Sequence, residues 1–240
     1  MTRAVFFDVD FTLIYPGPMF RGEGYCAFGE RYGLALDEAT FDAAVASAGS
    51  LLDLPDQSTY DAEIFVTYTR HIVERMGGSG PAVDACAREI YDEWAACHHF
   101  ELYEDVPQVL RELSAAGIPI GLISNSHRSL ASFQSHFELD GLIAAAVSSS
   151  EHGFMKPHRS IFQAALQLVN VPADQAVMVG DSVRQDVEGA LGAGMRRAAA
   201  KKRDVVRRRG GAACAGRAGD RDADRAIGRS LNSPSHQFTH

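Results

Sequence analysis

The sequence predicts an α/β fold: a parallel sheet flanked by helices, with a helical block set into it after the first strand. Three observations carry this. Four short, near-continuous apolar runs, "RAVFF", "IPIGLIS", "LIAAAVSS" and "AVMVG", alternate with segments whose apolar residues recur every three or four positions. Strands covered on both faces read as unbroken apolar runs. A long stretch between the first two runs carries only the helical period. Finally, the notable polar residues, Asp8 and Asp10, Ser124 and Asn125, and Asp181, follow the ends of three runs. In open parallel sheets that is where ligands bind.

Taken in order, Arg3 to Phe7 reads as a buried strand. Residues 15–24, "YPGPMFRGEG", carry two prolines and three glycines and read as a loop. From Tyr25 to Phe100 the pattern is helical throughout. "YCAFGERYGL" ends at Gly33, "EATFDAAVASAGSLL" follows, and "YDAEIFVTYTRHIVERMGG" closes on Gly77-Gly78, a stop signal. "PAVDACAREIYDEWAACHHF" starts a further helix with Pro81. Beyond it, "VPQVLRELSAAG", "SLASFQSHFEL", "SIFQAALQLVN" and "DVEGALGAG" are helices between the later strands. The domains expected are a core of residues 1–15 and 101–195, a helical cap of 16–100, and a tail of 196–240.

With 240 residues and 46% apolar content, the chain can bury a substantial core. Its net charge of -8 is unevenly spread: residues 1–195 hold 11 Lys+Arg against 27 Asp+Glu, and residues 196–240 hold 12 against 4. The four cysteines, Cys26, Cys86, Cys97 and Cys214, form no C-x-x-C pair and read as free thiols. Cys97-His98-His99 has no second cluster at ligand spacing and reads as a helix end. The N-terminal apolar run leads into acids rather than a cleavage site, and no stretch reaches membrane-spanning length. A cytoplasmic protein without membrane partners is expected.

Asp8, Asp10, Asp181 and Asp186 converge on one sheet edge in this reading. Unpaired, such carboxylates repel, and some must stay protonated. A hard divalent cation with oxygen ligands resolves the conflict, and Mg²⁺ suits carboxylates that share the ion with a phosphate oxygen. The Ser124 hydroxyl, the Asn125 amide and Lys156, the only lysine before position 201, could serve that phosphate. Taken singly, each has a plainer reading as a cap, turn or surface residue.

Four stretches in order resemble the haloacid dehalogenase-like hydrolases, and within them the phosphatases with a Rossmann-like core. "DVDFT" (Asp8–Thr12) looks like their D-x-D-x-T, and "ISNS" (Ile123–Ser126) like the second-strand motif. "KP" (Lys156-Pro157) looks like the third, and "GDSVRQD" (Gly180–Asp186) like the G-D-x-x-x-x-D of the fourth. The resemblance implies Asp8 as nucleophile and Asp10 as general acid and base. It implies phosphate contacts from Thr12, Ser124 and Lys156, with Asn125 at the phosphate shaping the loop around it. It implies Mg²⁺ on Asp8, the main-chain carbonyl of Asp10 and Asp181, with Asp186 supporting or ligating. The helical stretch would be the cap that closes the site and selects a small phosphorylated substrate. Phe20, Arg21 and Tyr25 are candidate cap contacts, each more simply read as packing or solvation. Phe11 stands where relatives often carry glycine; the readings are a ring that narrows the entrance, a ring packed under the cap, or a tolerated variant, and the last is favoured. Asp10 favours ester hydrolysis over dehalogenation, and the lack of any cap lysine excludes Schiff-base chemistry. A phosphomutase of the same fold stays open, as does a non-catalytic binding protein.

Beyond Met195 the resemblance implies a further apolar strand. The chain instead gives "RRAAAKKRDVVRRRGG", where only Val205-Val206 suggests a strand, and it stays Arg-, Ala- and Gly-rich to near its end. Three readings follow: a basic tail for an anionic partner such as nucleic acid, a neutral disordered extension, or a shifted reading frame in a GC-rich gene. The third is favoured because the break falls where a strand is due. The sheet is then expected to lack an edge strand.

Overall fold

The computed structural model describes residues 1–52 and 59–200, with side chains to Arg196. Its centre is a five-stranded sheet built on β1 (Ala4–Phe7), whose four residues are all buried. In chain order the remaining elements are β2 (Ile14–Pro16), α1 (Gly22–Arg31), α2 (Phe41–Ala48), α3 (Ala62–Arg75), α4 (Ala82–Glu93), β3 (Phe100–Leu102), α5 (Val106–Ala115) and β4 (Ile120–Ser124). There follow α6 (Leu130–His136), β5 (Ile143–Ser148), α7 (Ser149–His152), α8 (Arg159–Val169), β6 (Ala176–Gly180), a π-helical turn at Val183–Glu188, α9 (Gly189–Gly192) and β7 (Arg197–Ala200).

The sheet order is β5-β4-β1-β6-β7, and every pairing is parallel. Alternation along β1 divides its side chains between two cores. Val5 and Phe7 join Ile120, Leu122, Val106 and Leu110 on one face. Ala4 and Phe6 join Ile123, Val147, Ile161, Phe162 and Met178 on the other. Each large apolar side chain so buried contributes about 1.5–3 kcal/mol. α8 turns Ile161, Phe162, Ala165 and Leu166 inward along one stripe. His158 caps its start, accepting from the Ser160 amide, and Asn170 ends it in the left-handed region. α3 starts on the Asp61 side chain and stops before Gly77, at φ 108°.

Two stretches differ from expectation. Residues 15–24 are not one loop: Ile14–Pro16 pairs antiparallel with Phe100–Leu102, a short 3₁₀ turn covers Pro18–Phe20, and α1 starts at Gly22. The ribbon breaks the helical reading at Phe100. One apolar cluster runs from Val5 and Leu122 of the sheet through Phe20, Phe28 and Ile90 of the helical block. The edge strand is also present. Arg197–Ala200 lies in register with Val177–Gly180, so the break in composition at Met195 is not a break in the sheet. Val205-Val206, Cys214 and most of the basic tail lie outside the described residues. No helix among the described residues is long and apolar enough to cross a membrane.

Candidate active site

β1 lies between β4 and β6, so the ends of these three strands are neighbours. Asp8 follows β1, Ser124 closes β4 and Asp181 follows β6. The ladder extends one residue past β1, where the Asp8 amide donates to the Val179 carbonyl at 2.8 Å. Lys156 arrives from the turn before α8, through a cis bond to Pro157. Its Nζ donates to Asp8 Oδ1 at 2.6 Å and to Asp186 Oδ1 at 2.7 Å. All three side chains are buried. Asp186 sits on the π-helical turn, where its Oδ2 accepts from the Ser182 amide at 3.0 Å. That approach requires glycine at 180, because a Cβ there would stand 2.1 Å from the Asp186 carboxyl.

Asp8, Asp181 and Asp186 each bring a carboxylate oxygen within 4.8 Å of the others. Burial pushes the Asp8 carboxyl up to about 7, against the pull of Lys156 and with the repulsion of Asp186 and Asp181. Burial, then Asp186, raises Asp181 as well. Burial draws Lys156 down, but Asp186 and Asp8 outweigh it and hold it above the usual lysine range. The one ammonium thus pairs with two of the three carboxylates, Asp8 and Asp186. Asp8 Oδ2, Thr12 Oγ1 and Ser124 Oγ are buried with no hydrogen-bond partner among the described residues. Each such atom costs about 1–3 kcal/mol until something binds it. An all-oxygen set of three clustered carboxylates with surplus negative charge fits a hard cation.

Two predicted residues sit differently from the rest. Asn125, expected on phosphate, has its amide engaged elsewhere. Its Oδ1 accepts from the Lys156 amide at 2.7 Å, and its Nδ2 donates to the Lys156 carbonyl at 3.0 Å and to Gln185 Oε1 at 3.2 Å. It fixes the main chain that carries the lysine. The Asp10 carboxylate stands outside the three-acid cluster and accepts from Arg128 Nη1 at 2.8 Å. Phe20 and Tyr25 are buried in packing, and Arg21 donates to the Pro16 carbonyl at 3.5 Å.

Phe11 adopts φ 64°, the left-handed region that bulky residues avoid. Its amide donates to the Ile14 carbonyl at 2.8 Å, and its ring lies 6.2 Å from that of Trp94, half exposed. Glycine would adopt this φ without strain, so Phe11 carries a backbone cost that glycine would not. Sequence reasoning missed Arg128, Trp94 and Gln185. Gln185 Nε2 also donates to the Leu52 carbonyl at 3.4 Å, and the Tyr60 amide donates to the Gly153 carbonyl at 3.0 Å. The helical block therefore touches the loops that bear Asn125, Lys156 and Asp186. A second strand-end motif followed by a basic residue was the one available signal for Arg128.

Comparison with known proteins gives the same fold and motif region. The family model of haloacid dehalogenase-like hydrolases matches residues 2–194. Haloacid dehalogenase-like hydrolase domain-containing protein 3 of Xenopus laevis is 31% identical over 113 residues, so the match spans about half of each protein, 47% of this chain and 46% of that one. The ribulose-1,5-bisphosphate 5-phosphatase of Halopiger xanaduensis is 29% identical over 202 residues, 81% of this chain and 83% of that one. Among solved structures, a HAD phosphatase from Thermococcus onnurineus superposes with a TM-score of 0.55 at 21% identity, over 82% of this chain and 85% of that one. With the family matched across nearly all of the sheet and the helical block, and with its strand ends bearing the acids and the lysine, the chain belongs to the haloacid dehalogenase-like hydrolases.

Proposed function

We propose that the protein is a Mg²⁺-dependent phosphatase that hydrolyses a small phosphorylated metabolite through an aspartyl-phosphate on Asp8. The observation that carries this is the state of Asp8. Lys156 holds one of its oxygens, and the other is buried, unpartnered and adjacent to further acids. A nucleophile needs one free oxygen and enough positive charge nearby to ionise it. The relative from Halopiger xanaduensis, named for a sugar bisphosphate phosphatase, supports the same class.

In this reading Asp8 Oδ2 attacks phosphorus and the ester P–O bond breaks. Asp10 gives its proton to the departing oxygen. Water then attacks the phospho-aspartate, Asp10 takes a proton from it, and the P–O bond to Asp8 breaks. The Thr12 and Ser124 hydroxyls, without partners in the protein, donate to the phosphoryl oxygens. Lys156 offsets the joint charge of nucleophile and phosphate. Mg²⁺, held by Asp8, the main-chain carbonyl of Asp10 and Asp181 with Asp186 in support, would supply the remaining positive charge. Asn125 keeps the Lys156 turn in place. The helical block serves as the cap over this site.

Purified protein with Mg²⁺ is expected to release phosphate from a generic phosphate ester, and Asp8→Asn to lower turnover to background. Turnover retained in that variant removes Asp8 as nucleophile.

A further inference from the structure

Arg128 is the largest fully buried side chain among the described residues, with 1% of its surface exposed. It lies four residues beyond Ser124, on the loop that carries the phosphate-facing hydroxyl. The Ser126 hydroxyl accepts from its amide at 2.9 Å and holds that turn. Its guanidinium forks. Nη1 donates to Asp10 Oδ1 at 2.8 Å, and Nη2 donates to the main-chain carbonyl of Trp94 at 2.7 Å. The guanidinium carbon lies 4.3 Å from the centre of the Phe100 ring. Trp94 directly follows α4, the last helix of the block, and Phe100 opens β3, the strand by which the chain returns to the core.

Burying a guanidinium is costly unless its charge is paired and its donors are used. Three separate elements offset part of that cost here, the loop after β1, the end of α4 and the start of β3, while Nε is buried without a hydrogen-bond partner among the described residues. The arrangement leaves Asp10 with Oδ1 occupied and Oδ2 without a partner among the described residues. A carboxylate held by one oxygen presents the other in a fixed direction. Lysine could not reproduce the fork, because a single ammonium lacks the planar spread of donors.

We propose that Arg128 is a positioning residue for proton transfer: it grips Asp10 by one oxygen, anchors that grip to the Trp94 carbonyl at the foot of the helical block, and so aims the other oxygen at the departing group and at the hydrolytic water. The inference rests on the phosphatase reading and assigns within it a residue outside the four motifs.

The test compares two esters that differ in their need for a proton. An alkyl phosphate releases a strongly basic alkoxide, whereas 4-nitrophenyl phosphate releases a stable phenolate. Because kcat/KM reports the steps up to phosphoryl transfer, loss of an aimed acid should show on the alkyl ester. Arg128→Met is expected to lower kcat/KM for the alkyl phosphate about 100-fold, the scale of general acid catalysis. It is expected to lower that for 4-nitrophenyl phosphate by less than about fivefold. Hydrolysis of the phospho-aspartate also needs Asp10, so the variant should give a burst of one nitrophenolate per active site before slow turnover. Arg128→Lys keeps the charge without the fork and should show the same selectivity at a smaller scale. It provides the reading if Arg128→Met does not fold. Equal losses on both esters without a burst, or no loss on either, overturn the positioning role while leaving the phosphatase reading intact. A wild-type protein inert toward both esters overturns the two together.

Discussion

Phe11 carries its cost in its own backbone. A non-glycine residue at φ 64° is disfavoured by about 1–2 kcal/mol, and Phe11 keeps the position with its ring beside Trp94. Phe11→Gly would remove that strain but add chain entropy to the unfolded state, so the two effects on stability oppose each other. Its melting temperature should stay close to wild type, while kcat/KM should rise for bulky esters and change little for small ones. An equal change for both sizes would show that the ring does not narrow the entrance. At this scale Asp8, Thr12, Ser124, Lys156 and Asp181 were legible because each sits in a short contiguous pattern. Arg128 was not, because its partner Asp10 lies 118 positions away and only the fold joins them. Asn125 was legible as a residue of the phosphate loop, but not its hold on the main chain of Lys156. The lysine backbone it binds is 31 positions distant.

Among the elements, the π-helical turn at Val183–Glu188 decides where Asp186 points. It brings the carboxyl back over Gly180 to meet Lys156 and the Ser182 amide. Gly180→Ala would place a methyl 2.1 Å from that carboxyl. The variant should lose about 1–3 kcal/mol of stability, as overpacked sites do. It should also lose most of its turnover, since Asp186 must leave Lys156. Wild-type melting and turnover together would count against this. The long strands and amphipathic helices could be read from apolar periodicity alone. β2 and β3 could not, because each is three residues long and β2 ends on a proline inside a glycine-rich stretch. β7 was hidden for another reason. "RAAA" has weak strand propensity, and its pairing with β6 outweighs local preference.

For the molecule as a whole, charge couples the site to stability. Asp8 ionises near 3.8 in an unfolded chain and near 7 in the folded one. Through that window the folded state holds the extra proton, so the metal-free protein should lose stability as pH rises. A cation on the same carboxylates displaces the proton, so Mg²⁺ should raise the melting temperature more at about pH 8 than at about pH 5. At 100 times its dissociation constant, the ion would contribute about 2.7 kcal/mol. Melts with and without Mg²⁺ at both pH values measure this, and a shift equal at the two would remove the acid cluster as its site. The acidic balance of residues 1–195 was legible from composition, but which acids share one lysine was not.

The ribbon of β2 and β3 has a consequence for how such a protein can be rebuilt. The chain leaves for the helical block after Pro16 and returns at Phe100, and these two residues face each other across the ribbon. Opposed residues of an antiparallel pair lie about 4.5–5.5 Å apart. Everything between them is therefore a cassette with adjoining ends. A foreign helical segment spliced in at that doorway would have to refill the apolar cluster that Phe20, Phe28 and Ile90 share with Val5 and Leu122 of the sheet. The graft would have to offer one main-chain carbonyl where Trp94 now offers its own, or Arg128 would lose its second hold.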